Sequence, residues 1–294
     1  MIPIVLVTGF LGCGKTTLLK RFVDQHRSRR FLYLVNEFSP QDVDGVLLQS
    51  EGVEVIAIPG GSLFCNCLVT DFIRTLTGIA KQFPDLEAVI IEASGMANPK
   101  VIEQMLVDTK LDGEYRLSQI ISVIDPVSFR KLKAMLPNLS AQIEAAYTVL
   151  INKVDLASEA ELDQCRADVA ALNPDADVQL AEHCSVDLEL LPERCCKGLQ
   201  GEYALCSDPN YETFTTEQAM ERNKLREILE RFGEAAYRVK GQAVLSGELQ
   251  RVEFASGQLD IAPGTPDAPR GLVWIVRGGE GETIRHALGC ASPQ

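Results

Sequence analysis

Eight consecutive residues constrain this chain more than any other feature. Gly9-Phe10-Leu11-Gly12-Cys13-Gly14-Lys15-Thr16 satisfies G-x-x-x-x-G-K-[ST] and lies between a short apolar run, Ile4–Thr8, and a helical stretch, Thr16–Val23. A strand before the pattern and a helix after it are the context the pattern requires. The glycines let successive backbone N–H groups turn toward one point, where the oxygens of an anion can be held. The segment is therefore a phosphate-cradling loop, with Gly12, Cys13, Gly14, Lys15, Thr16 and Thr17 around the phosphates. Lys15 bridges β and γ oxygens, and the Thr16 hydroxyl takes Mg²⁺.

The rest of residues 1–195 alternates in the same way. Phe31–Val35, Val53–Ile58, Ala88–Ile91, Gln119–Ile124 and Thr148–Ile151 are short, continuous apolar runs, as expected of strands buried on both faces of a parallel sheet. Helical stretches at Thr70–Phe83, Pro99–Leu106, Leu139–Ala146 and Glu159–Leu172 lie between them. This order predicts an α/β fold, a P-loop NTPase three-layer domain with a mainly parallel sheet. The domain runs over 1–196. Residues 197–211, rich in Gly, Ser, Asp, Pro and Asn, read as a linker. A small α+β C-terminal domain follows at 212–294, with strands at Glu212–Thr215, Tyr237–Leu245, Leu249–Phe254, Gln258–Ile261 and Leu272–Val276. Its helices are expected at Glu217–Phe232 and Glu282–Leu288.

Two later segments extend the phosphate site. The run Ala88–Ile91 leads into Glu92-Ala93-Ser94-Gly95. There Glu92 is placed to hold a Mg²⁺-bound water, and the Gly95 N–H to meet the γ-phosphate and sense its loss. Thr148–Ile151 leads into Asn152-Lys153-Val154-Asp155, an N-K-x-D loop. Its Asp carboxylate accepts from guanine N1–H and the exocyclic amine. Adenine offers an acceptor and no amine there, and sites built on such bonds reject the wrong base by ~10⁴ or more. The nucleotide is thus GTP or GDP, read by Asn152, Lys153 and Asp155. A P-loop kinase is disfavoured by the same loop.

Composition narrows the partners. Forty-one acidic against 28 basic residues give a net charge of −13, which repels nucleic acid and anionic membrane surfaces. No apolar run reaches the ~20 residues of a membrane span. The N-terminus MIPIVLVTGF has no basic segment and no cleavage site, so a signal peptide is not expected and the chain is read as cytoplasmic. Nine cysteines are then reduced thiols.

The sequence resembles the CobW-type metal-chaperone GTPases, relatives of the urease and hydrogenase nickel-insertion GTPases. The resemblance rests on V-T-G-F-L-G-C-G-K-T-T-L-L at 7–19, L-V-N-E-F-S at 34–39, Glu92-Ala-Ser-Gly-Met-Ala-Asn-Pro99 and the 152–155 loop. In the second domain only Tyr237-Arg238-Val239-Lys240-Gly241 is similar, to an R-x-K-G strand. It implies a metallochaperone or insertase whose nucleotide state is coupled to metal delivery, with a metalloprotein or corrinoid client protein and a nucleotide-dependent homodimer. It places Glu37 in the first switch loop, near Mg²⁺ and the γ-phosphate, and matches Asp44 to a later acid. Ser39-Pro40 departs from the family's Gly-Glu there.

The family's C-x-C-C motif corresponds to Gly60-Gly61-Ser62-Leu63-Phe64-Cys65-Asn66-Cys67, where Ser62 and Phe64 replace two cysteines. Cys65 and Cys67 as thiolates can chelate one Zn²⁺ or Co²⁺, completed by Glu37, water or a client ligand. The alternative is that both pack as small hydrophobes. His183, Cys184, Cys195, Cys196 and Cys206 are soft ligands within a short span, although their spacings match no zinc motif. Cys13 need only fit its loop. His26 and His286 read as surface or capping groups, and Arg27, Arg29 and Arg30 as a solvated helix end. A GTP-holding regulatory module that gates a client without metal transfer is the competing function.

Overall fold

The computed structural model describes residues 1–37, 55–59, 69–133, 136–192, 197–201, 211–255, 257–266 and 270–289, without the side chains of 36, 37, 57–59 and 69. The chain forms two compact units, whose described residues are 1–201 and 211–289.

The first unit is built on seven strands: β1 (Ile2–Thr8), β2 (Phe31–Glu37), β3 (Val55–Pro59), β4 (Ala88–Glu92), β5 (Tyr115–Ile124), β6 (Thr148–Ile151) and β7 (Asp177–Leu180). They pair in the order β3-β2-β4-β1-β5-β6-β7, every pair parallel. A parallel sheet needs crossovers, supplied here by α1 (Lys15–Gln25), α2 (Val69–Gln82), α3 (Ile102–Asp108), α4 (Pro126–Leu132), α5 (Pro137–Ala145) and α6 (Glu159–Leu172). The central strands are apolar on both faces because helices cover both. Val5 and Val7 pack with Leu18, Leu19 and Phe22 of α1, and with Ile121, Val123 and Leu150. Leu6, Ile120 and Val149, on the alternate positions, are equally buried.

Each expected strand and helix of this unit forms within the described residues, with other ends moved by a few residues, while positions 53 and 54 of the expected 53–58 strand lie outside the described residues. Two elements lie outside the expected pattern. Helix α4 starts at Asp125-Pro126: the Asp125 carboxylate caps the N–H groups of Val127 and Ser128, and proline occupies the first turn. Strand β7 ends its sheet with Val178 and Leu180 exposed, so it lacks the apolar run that marks its neighbours.

The second unit is an antiparallel sheet in the order β11-β10-β9-β12-β8, from β8 (Tyr211–Thr216), β9 (Ala236–Leu245), β10 (Glu248–Ala255), β11 (Gln258–Pro263) and β12 (Gly271–Arg277). Helices α7 (Arg222–Phe232) and α8 (Gly281–Leu288) place Leu225, Ile228, Leu229, Ile284 and Leu288 in a core with Val239, Val252, Leu272 and Trp274. The expected helix 217–232 begins only at Arg222. Met220 bridges to Leu245, with its N–H on the Val244 carbonyl and its own carbonyl taken by Ser246 N–H, which holds the preceding residues against the sheet. Among the described residues no helix is long and apolar enough to cross a membrane.

Candidate nucleotide site

The loop between β1 and α1 owes its shape to close approaches. Gly9 has φ +137°, and a Cβ there would lie 2.1 Å from the Val123 carbonyl oxygen. Gly14 has φ +117° and caps α1, and a Cβ there would meet Asn152 Nδ2 at 2.5 Å and Cys184 Sγ at 2.9 Å. Both positions need glycine for space and for conformation. The first turn of α1 holds no acidic residue, and no side chain caps it. Its N–H groups and the positive end of the helix dipole therefore suit an anion.

Lys15 is only 6% exposed, and its amine donates to the Gly9 carbonyl at 2.9 Å and the Phe10 carbonyl at 3.2 Å. The Thr16 hydroxyl stands 3.4 and 3.5 Å from the two carboxylate oxygens of Glu92, at the end of β4. Gly95 packs against Leu11: a Cβ on it would come within 2.8 Å of the Leu11 backbone nitrogen. The phosphate loop and the Glu92–Gly95 segment are thus one assembly.

The 152–155 loop joins the same assembly. Asn152 is expected to read the base, but both ends of its amide are engaged by protein. Its Nδ2 donates to the Cys13 carbonyl at 2.9 Å, and its Oδ1 accepts from Cys184 N–H at 2.8 Å. It is a brace between loops. Lys153 sits in the left-handed region at φ +58°, a strained setting for a side-chain residue, and its amine pairs with Asp125 at 3.2 Å. Asp155 lies in a short 3₁₀ turn, Val154–Leu156, with an exposed side chain. The sequence motifs do not single out Asp125. The signal for it is the Asp-Pro pair that starts α4.

Cys184 also takes a different role from the one considered for it. Its side chain is fully buried, its Sγ contacts the Gly14 carbonyl at 3.3 Å, and burial pushes its thiol up to about 12. Burial raises the Cys13 thiol as well. His183 is exposed, so the adjacent pair faces two environments. Cys184 is a packing residue of the phosphate loop. Among the described residues no group of three or more His, Cys, Asp or Glu side chains is placed to hold a metal. Cys65, Cys67, Asp44, Ser39-Pro40, Cys195, Cys196, Cys206 and the Glu37 side chain lie outside the described residues, while the backbone of Glu37 ends β2 beside Pro59. His26 caps α1 with its N–H on the Phe22 carbonyl, and Arg27, Arg29 and Arg30 pair with Asp24, Glu87 and Asp85 at the surface.

Residues 3–179 match the family described as CobW/HypB/UreG, nucleotide-binding domain. The chain is 29% identical over 194 residues to the zinc chaperone YjiA of Escherichia coli, covering 65% of this chain and 60% of YjiA. It is 28% identical over 220 residues to the zinc chaperone CobW of Pseudomonas aeruginosa, covering 64% and 58%. It thus spans about three fifths of the length of these curated relatives. A crystal structure of a Zn(II)-bound triple mutant of YjiA GTPase aligns over 98% of both chains, with a TM-score of 0.50 at 22% identity, a likeness of fold. From its phosphate loop to its 152–155 loop, the chain belongs to the CobW/HypB/UreG family of nucleotide-binding domains.

Proposed function

We propose that this protein is a GTP-binding, slowly hydrolysing metallochaperone that couples its nucleotide state to delivery of a metal ion to a client metalloprotein in the cytoplasm. The observation that carries the reading is the direct joining of three loops, through Asn152 to Cys13, Thr16 to Glu92 and Gly95 to Leu11. A γ-phosphate and a guanine held by these loops would touch one connected assembly. The donor set suits magnesium, because the Thr16 hydroxyl and the Glu92 carboxylate are adjacent hard oxygens. Mg²⁺, when bound, neutralises charge developing on the β and γ oxygens.

The chain's own residues supply the rest. Lys15 exchanges a loop carbonyl for phosphate oxygen and stabilises the same charge. Asp155 accepts from the guanine edge. Without a partner, turnover of ~10⁻⁴–10⁻² s⁻¹ is expected of such a site. Residues 1–196 would carry the GTPase and 212–294 a separate small domain. The naming of relatives as zinc chaperones supports zinc as cargo, and the Cys65–Cys67 thiol pair suits zinc or tetrahedral cobalt. A second reading, a GTP-holding module that gates a client such as a corrinoid enzyme, is favoured by Ser62 and Phe64 at positions where cysteines are expected.

Cobalt titration of the full chain in its GDP and GTP-analogue states tests the reading. Coupled sites should differ in cobalt affinity by roughly 5–150-fold between the two states. Cys65→Ser with Cys67→Ser should erase the thiolate-to-cobalt absorption. Equal affinity in both states, or an unchanged spectrum in the double variant, would leave the gating module as the function.

A further inference from the structure

The segment after β4 is held from behind by two amide side chains. Asn138 and Gln142 stand one helical turn apart on α5 and face the same way. Gln142 Nε2 donates to the Gly95 carbonyl at 3.2 Å and the Ala97 carbonyl at 3.0 Å. Asn138 Nδ2 donates to the Met96 carbonyl between them at 2.9 Å. Three successive buried carbonyls are therefore fixed by one helix, in a region where Gln142 is 1% exposed.

The turn completes the arrangement. Ala97 N–H donates to the Ser94 carbonyl at 2.9 Å, and Met96 N–H to Ser94 Oγ at 3.3 Å. The peptide plane joining Ser94 to Gly95 is rigid and trans, so its N–H points away from its carbonyl. With that carbonyl tied to Ala97, the direction of the Gly95 N–H is set. Among the hydrogen bonds of the described residues, the Gly95 N–H donates to none. It is a donor of fixed direction in a residue packed against Leu11 of the phosphate loop.

We infer that Gln142 and Asn138 are positioning residues for γ-phosphate recognition, acting through the Gly95 N–H. The inference rests on the guanine-nucleotide reading above. It follows from preorganisation: a donor held in place before the ligand arrives needs no reorganisation when charge reaches it. The same bonds tie α5 to the 95–97 segment, so the direction of the Gly95 N–H depends on where Asn138 and Gln142 stand.

The test compares affinities for GDP and for a non-hydrolysable GTP analogue in wild type, Gln142→Met and Asn138→Ala, with thermal unfolding of each. Gln142→Met keeps the volume and removes both donors, so the preference for the analogue over GDP should fall about tenfold, the equivalent of one or two lost hydrogen bonds. GDP affinity should change less than about twofold, since GDP has no group for Gly95 to meet. Asn138→Ala, at a half-buried position, should lower the preference about threefold through its single bond. If both variants lose thermal stability while the ratio stays at the wild-type value, the amides are merely structural and the inference fails. A wild-type chain that binds no guanine nucleotide would instead remove the proposed function and this inference with it.

Discussion

Asn152 Nδ2 donates a 2.9 Å hydrogen bond to the carbonyl of Cys13, across 139 residues of sequence. The same amide accepts from Cys184 N–H at 2.8 Å. One side chain thus sets the distance between the loop that holds phosphate and the loop that carries Asp155. Asn152→Ala would leave a buried N–H and a buried carbonyl unpaired, at a cost of about 2–4 kcal/mol in unfolding free energy. GTP and GDP affinity should fall together, since both ends of either nucleotide depend on that spacing. Urea unfolding with parallel nucleotide titration checks this, and a variant of wild-type stability that loses only GTP would contradict it.

Asp125 divides its carboxylate between two tasks. One oxygen caps α4 through Val127 and Ser128 N–H, and the other pairs with Lys153, which is held at φ +58°. Asp125→Asn keeps a good capping residue, so any stability it loses should come from the charge of Lys153 left without its partner. The ion pair is largely shielded from water, so its loss should still weaken guanine-nucleotide binding about three- to tenfold. Asp125→Ala should weaken binding by the same factor and cost about 1 kcal/mol more of stability through the cap. Calorimetric titration of each variant reads the effect, and equal nucleotide affinity in wild type and Asp125→Asn would show that Lys153 needs no partner.

What could be read in the sequence was local. The phosphate loop is contiguous and glycine-shaped, and the central strands are apolar on both faces, so each declares itself within a few residues. Asn152 could be found by its loop pattern, yet its bracing role depends on Cys13 and Cys184, and no local pattern records a contact over 139 residues. The sequence overextends the second-unit helix because Glu217–Glu221 has helical composition, while Met220 is committed to a bridge with Leu245. Strand β7 escapes notice for the opposite reason, an edge strand with too few buried positions to show a period.

The buried thiols give a chemical check on the core of the site. Burial raises Cys13, pushes Cys165 to about 12 and pushes Cys184 to about 12. A raised value keeps the thiol neutral, and at pH 8 a group at about 12 is thiolate in about one molecule in ten thousand. Iodoacetamide at pH 8 should leave Cys13, Cys165 and Cys184 unmodified in the folded protein and label all three in denaturant. Peptide mapping reads the result, and rapid native labelling of Cys184 would mean that the phosphate loop does not pack as described.

Guanine selectivity tests the account most directly. Calorimetric titration of the wild type should give GTP affinity about 10⁴-fold or more above ATP, because Asp155 would face an acceptor on adenine and find no amine. Asp155→Asn should weaken GTP and strengthen the xanthine nucleotide, since the amide can donate to the xanthine 2-oxo group. The side chain is exposed, so stability should be unchanged within about 0.5 kcal/mol. ATP bound as tightly as GTP by the wild type, or an Asp155→Asn variant with unaltered base preference, would contradict the assignment of the 152–155 loop as the reader of guanine.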